Sequence, residues 1–459
     1  MKRLLCAFVI LLSLLASMSS SGEEQSSEAP SGQTTETQAP ASGPSAEEFK
    51  FEASEIEKKP YHIGGYLEFR PALSVLDKNA ALYRLNFANQ NVGKTIEDYA
   101  ARLWLEGSFE KGIFGAFFKT NLGFDYTYQG WDHQTLIYEG YGSLKPSSSL
   151  TIDAGKKVFN WGKGYAWNPV AFVDRPKDPN DPELPREGYV AATADYIKSF
   201  NGPLKTFSVS PVILPVYHHV NDTFGQLNNV NFAGRIYGLL YNTDIDLTFL
   251  VGQSKTNRVG FDFSRNITTN LEAHGEFAFI TNQQKTTVDS NGNTSQTNQD
   301  VTSFLLGLRY LSSMDTTYIL EYYHNGAGFS SSELTDFYSF SDNAFYTFES
   351  TGKSNQLVKA QTLVQGGYGG MNPGKDYLYL RISQNEPFHI LYFTPALTTI
   401  MNLNDQSFSI SPELLYTGIK NWEFRLKGTA LVGTKGTDFG EKQNDYKVEF
   451  RVRYYFSFP

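Results

Sequence analysis

A chain of 459 residues with 39 basic and 48 acidic side chains, formally −9 at pH 7, has room for two or three soluble domains or one large barrel, and no basic surplus for nucleic acid. Its single cysteine, Cys6, falls among the first residues, so the remainder can make neither disulfides nor thiol chemistry. Aromatics reach 15%, with 28 Tyr and 35 Phe, while the mean hydropathy is −0.36. A chain both aromatic-rich and polar on average points to alternation along strands and away from continuous apolar helices.

Met1-Lys2-Arg3 is basic, Leu4 to Leu15 is apolar, and mostly small residues run from Ala16 to Gly22. This is the pattern of a secretory signal peptide over residues 1–22. The apolar run is well short of the ~20 residues that a spanning helix needs. No other run of ~18 apolar residues follows. An exported chain without a membrane helix is either soluble and secreted or a closed membrane barrel. Residues 23–59 read as a periplasmic extension. Up to Pro44 they hold no large apolar side chain and are expected to be disordered, and Ala46 to Lys59 is expected to form one short helix.

From Tyr61 the period changes to two. Tyr446, Val448, Phe450, Val452, Tyr454, Phe456 and Phe458 share one face, opposite Lys447, Glu449, Arg451 and Arg453. The pattern recurs where Phe114, Phe118, Phe124 and Tyr126 oppose Lys119 and Asp125, and where Trp422, Phe424 and Leu426 oppose Glu423, Arg425 and Lys427. Such segments number about 18: 61–71, 97–109, 113–128, 132–145, 149–158, 188–200, 204–215, 229–241, 244–252, 258–265, 270–281, 301–312, 316–325, 375–384, 388–401, 407–417, 421–433 and 445–458. Every second connection is short and most are rich in turn formers, as in Asn201-Gly202-Pro203 and Asn385-Glu386-Pro387. All long connections fall in the other set: 72–96, 159–187, 216–228, 282–300, 326–374 and 434–444. A soluble sandwich has no reason to sort loop length by parity. A membrane barrel with long outer loops and short periplasmic turns does. The expected fold is therefore all-β: a transmembrane antiparallel barrel over residues 60–459, in the outer membrane of a Gram-negative bacterium, with aromatic girdles at the strand ends.

With its alternating strands, the terminal run Tyr446-Lys-Val-Glu-Phe-Arg-Val-Arg-Tyr-Tyr-Phe-Ser-Phe458, and Gly155-Lys-Lys-Val-Phe-Asn-Trp-Gly162, the chain resembles the porin-like outer-membrane proteins, particularly the 18-strand substrate-specific porins and the alginate-export type. The resemblance covers about residues 61–458. It implies that the third outer loop folds into the barrel and narrows a pore, that assembly uses the barrel-assembly machinery, and that the protein is a homotrimer or a monomer.

That loop contains Pro169, Pro176, Pro179, Pro182 and Pro185, which fix φ, and Trp161, Tyr165, Trp167 and Phe172, which can anchor it. Asp174, Asp178, Asp181 and Glu183, with Arg175 and Arg186 among them, are candidate constriction residues, expected to face basic residues of the wall. The same acids offer hard oxygen ligands for Ca²⁺ at a spacing unlike an EF-hand. Candidate pore-lining residues are Arg70, Arg102, Glu106, Lys119, Asp125, Arg235, Arg258, Arg309, Arg381, Arg425, Arg451 and Arg453, because lumen charges set which solutes pass. Both signs occur in similar number, so ion preference is not legible. The function expected is passive diffusion of small hydrophilic solutes, with no enzymatic activity. Three alternatives stand beside it. One is a sheath for a partner such as an electron-transfer cytochrome. Another is an outer-membrane enzyme using His324 and Ser330. The third is an adhesin recognising its target through 326–374.

Overall fold

A computed structural model describes residues 59–458; the leader, the extension and its short helix lie outside the described residues. The chain divides into residues 1–60 and 61–459, and the second unit holds every strand described. Eighteen strands form one antiparallel sheet. They are β1 (Tyr61–Leu76), β2 (Thr95–Lys111), β3 (Phe114–Thr127), β4 (Gly130–Ser147), β5 (Leu150–Lys157), β6 (Tyr189–Ser199), β7 (Leu204–Val216), β8 (Asn229–Leu240) and β9 (Thr243–Val251). The second half is β10 (Arg258–Asn266), β11 (Leu271–Val288), β12 (Thr294–Leu311), β13 (Thr316–His324), β14 (Asp376–Gln384), β15 (Phe393–Asn402), β16 (Phe408–Tyr416), β17 (Trp422–Val432) and β18 (Asn444–Phe458). Each of the expected strands is present. Every strand pairs with its chain neighbour, and β1 also pairs with β18, from Ile63 opposite Phe458 to Leu76 opposite Asn444. That pairing closes the barrel and removes the sheet edge, which an open sheet would expose.

The alternation resolves into two faces. Leu247, Phe277, Leu306, Leu308, Leu426, Val448 and Phe450 point outward and are exposed. Asp246, Asp262, Glu276, Glu321 and Arg451 point inward and are buried. A soluble protein would bury the first set and expose the second. The inversion fits a barrel whose solvent is hydrocarbon outside and water within.

Connections at one end are short, the longest being the eight residues 385–392, where a 3-10 turn at Pro387–His389 replaces the expected start of a strand at 388. The β8–β9 turn is only Tyr241 and Asn242, both at positive φ, the two-residue geometry that matches strand twist. The other end carries the long connections, and two of them differ from expectation. Residues 282–300 are mostly not loop. After a bulge near Ile280, β11 and β12 continue as a projecting hairpin, and the Asp289 carboxylate accepts the amides of Asn291 and Asn293 to close its turn. Polar cross-strand pairs, among them Gln283 with Gln299 and Thr286 with Gln296, extend the ladder there. Residues 326–374, expected as a long outer loop, are instead largely helical.

That insert forms α2 (Ser331–Thr351) and α3 (Asn355–Leu363), the latter running into one π-helical turn at Val364–Tyr368; α1 (Ala81–Phe87) comes from the β1–β2 connection. Ser330 caps α2: its hydroxyl accepts the Glu333 amide, and the Glu333 carboxylate accepts the Ser330 amide. Leu334, Phe337, Tyr338 and Ala344 recur at helical spacing and pack with Leu82 and Leu85 of α1, Leu357 and Ala360 of α3, and Val288 of the hairpin. Arg84 and Asp342 pair within this cluster. A cap with its own core therefore stands at the long-loop end.

The outward face sets a stability prediction. Leu306→Arg places a charge mid-strand in hydrocarbon and is expected to cost about 2–4 kcal/mol, with Leu306→Val near neutral, read by denaturant unfolding from lipid vesicles.

Candidate functional site: an inward loop and a basic wall

The β5–β6 connection, residues 158–188, runs inside the barrel. Asp174 folds its base. Its carboxylate accepts the amides of Phe159 at 2.7 Å and Trp161 at 3.0 Å, and burial raises its pKa. This corrects the expected role of Asp174: it serves the loop's own buried amides and does not face the wall. Trp161, 2% exposed, packs with Val170, Phe172 and Val173 against Val212, Leu214 and Leu250. Trp167 stacks on Tyr323 at 5.0 Å and lies beside Tyr377 and Tyr379. The apolar side chains thus fasten the loop to two separate arcs of wall.

Two buried carboxylates fix its backbone. The amides of Lys163 and Gly164 both donate to Oε1 of Glu276 at 2.6 Å, and the Val170 amide donates to Oε2 at 3.1 Å. The amides of Tyr165 and Ala166 donate to Glu321, the second at 2.8 Å. His274 Nε2 also meets Glu321 Oε1 at 2.8 Å. In register, Gly307 stands between His274 and Glu321, and a Cβ there would sit 2.0 Å from His274 Nε2, so only glycine lets the ring cross. Gly162, at φ +94°, likewise leaves room for Glu276. Lys163 Nζ lies 2.8 Å from Asp246 and 3.9 Å from Asp262. Hydrogen bonds to a buried charged acceptor are worth about 1.5–3 kcal/mol each, so five amides on two carboxylates hold this segment firmly. Lys177, its pKa lowered by burial, reaches back to the Gly164 carbonyl.

The loop tip meets the opposite wall. Asp178 accepts the Asn180 amide at 2.9 Å, making a turn. Asp181 then lies 3.2 Å from Arg451 and 3.5 Å from Arg425, and Glu183 lies 3.8 Å from Arg425. Lys427 donates to the Asn180 carbonyl. Behind these, Arg381 pairs with Glu413 at 3.2 Å, and Arg453 with Glu68 at 2.7 Å and Glu423 at 3.5 Å. Arg70 sits 4.0 Å from Glu449. Between tip, wall and cap is a cavity of about 470 Å³ lined by Arg70, Asp178, Asp181, Arg425, Lys427 and Lys447 among others.

The remaining candidates scatter. Arg175 pairs with Glu187 at 2.8 Å, and Arg186 donates to the Arg175 carbonyl and to Asn160, so both brace the loop. Arg102 with Asp125 (2.7 Å) and Lys119 with Glu106 (3.6 Å) pair on β2 and β3, away from the tip. Arg235 faces Asp246 at 3.6 Å. Arg258 starts β10 at the long-loop end, and Arg309 is exposed near the short-turn end of β12. Asp174 and Asp181 serve different partners, and among the described residues no group of three or more acidic, His or Cys side chains is placed to hold a metal ion. Ser330 is occupied as a helix cap, and His324 pairs with Asp376 at 2.7 Å. The anchoring role of Glu276 and Glu321, and the presence of Asp246, Asp262 and His274 beside them, are not legible in the sequence. The loop amides that Glu276 and Glu321 accept lie more than a hundred residues away, and His274 reaches Glu321 across an intervening strand.

No family model and no curated protein matches the chain. Among solved structures it is similar to an E1M, A116K mutant of Rh. blastica porin, at 10% identity and TM-score 0.43, over 86% of this chain and 100% of that one. It is also similar to Pseudomonas aeruginosa OprD (12%, TM-score 0.46) and OccK11 (10%, TM-score 0.46), each over 86% of this chain and 96% of that one. At such values the barrel stands on the chain's own closed ladder.

Glu276→Leu leaves three buried amides without their acceptor, at about 1–3 kcal/mol each. Limited trypsin digestion of the folded variant is expected to cut after Lys163 and Lys177 roughly tenfold faster or more than in the parent, with the strands intact.

Proposed function

We propose that the chain is a porin-like channel of the Gram-negative outer membrane, passing small hydrophilic solutes passively through the lumen left beside the inward loop, whose tip is ion-paired to the basic wall of β17 and β18. The observation that carries this reading is the pairing of Asp181 with Arg425 and Arg451 across the interior of a closed, outwardly apolar barrel. A loop held by buried carboxylates on β11 and β13 keeps a fixed aperture. Opposed acids and guanidinium groups at the aperture produce a transverse field that favours polar, hydrated solutes over apolar ones. In this orientation the long-loop end faces outward and the short turns face the periplasm. The loop occupies the space that a sheathed partner protein would need. The helical insert buries its apolar side in the cap, which weakens an adhesin reading based on its apolar residues.

Planar-bilayer recording tests the channel. The purified protein is expected to give stepwise conductance of a stable size. Asp181→Asn is expected to shift selectivity toward anions, and Arg451→Gln toward cations, each by about twofold or more in permeability ratio. A protein that inserts without conducting contradicts the reading.

A further inference from the structure

At the long-loop end, the β9–β10 connection (residues 252–257) and the hairpin of β11 bound an open pocket of about 550 Å³. Its lining includes Lys255 and Arg258, and neither Asp nor Glu is part of it. That sets it apart from the interior, where Arg102, Arg381, Arg425, Arg451, Arg453 and Lys163 each have a carboxylate within 4 Å. The Lys255 ammonium lies 3.8 Å above the Phe224 ring, and Arg258 Nε makes only a 3.4 Å contact with its neighbour's carbonyl, that of Thr256. Thr256 Oγ1, also at the pocket, is buried without a hydrogen-bond partner.

The frame around these donors is rigid. Asn231 donates to Ser254 Oγ at 2.9 Å and accepts the Ser254 amide at 3.2 Å. A Cβ on Gly225 would sit 2.2 Å from the Ser254 carbonyl oxygen, so the two loops touch backbone to backbone. Burial, followed by the charges of Arg258 and Arg175, lowers the Lys255 pKa to about 7, as expected for a cation lacking a counter-charge. We infer that this pocket binds a phosphate-type oxyanion, free or carried on a larger molecule, through Lys255 and Arg258. An acceptor-only anion meets both cationic donors at once, and the volume admits a phosphorylated sugar as readily as inorganic phosphate. This does not depend on conduction.

The test uses the detergent-solubilised full chain at pH 7.5. A lysine-acylating reagent is applied with and without millimolar inorganic phosphate, and labelling is read residue by residue by mass spectrometry. Lys255 is expected to react faster than the exposed Lys205 and Lys420, and phosphate is expected to slow Lys255 alone by several fold. Arg258→Gln, checked for folding by its electrophoretic mobility, is expected to lose that protection. A parallel arm replaces phosphate with lipopolysaccharide. Protection by lipopolysaccharide but not by phosphate assigns the oxyanion to a lipid headgroup, and protection by phosphate assigns it to a solute. An unchanged Lys255 rate in both arms, or equal protection by chloride at matched ionic strength, overturns the proposal.

Discussion

A strand in hydrocarbon cannot leave its backbone groups unpaired, and the pairing of β1 with β18 meets that constraint here. Once the sheet closes, alternation has one consistent outcome: apolar side chains such as Leu306 and Phe450 turn to the outside, and charges such as Glu276 and Arg451 turn to the inside. The interior therefore receives acids and bases that a soluble core could not hold. Everything the inward loop does depends on them.

Those interior charges divide by arc. On β9 to β13 acids predominate, and two of them take their hydrogen bonds from main-chain amides of the loop. On β17 and β18 basic side chains outnumber acids, and the guanidinium groups of Arg425 and Arg451 meet the acids of the tip. The loop is thus held at its middle by negative charge and faced at its tip by positive charge. It adds loop carboxylates to an arc where basic side chains outnumber acids. Aromatic contacts of Trp161 and Trp167 supply the apolar part of the same attachment.

The strands were legible because period two and the parity of loop length are local signals, and each survives in the folded barrel. The inward loop was legible in its stiffness, through its prolines and aromatics. Its attachments were not, because Glu276 and Glu321 look like any other lumen acid until register places them opposite amides of residues 163–170. Asp174 misled for a related reason: a carboxylate near basic residues in sequence is also the readiest acceptor for buried amides 13 and 15 residues away. The helical cap carried signals that could have found it. Ser330 and Glu333 have capping-box spacing, and Leu334, Phe337, Tyr338 and Ser341 follow the helical period within a stretch that otherwise reads as loop.

The central claim is that the greasy face meets lipid while the charged face meets water. Because Cys6 is the chain's only cysteine, single cysteines from 447 to 452, introduced with Cys6→Ser, can carry spin labels in the barrel reconstituted into bilayers. Labels at Val448, Phe450 and Val452 are predicted to be accessible to molecular oxygen and shielded from a water-soluble nickel chelate, and labels at Lys447, Glu449 and Arg451 the reverse. Alternation of the opposite sign, or no alternation along β18, contradicts the account.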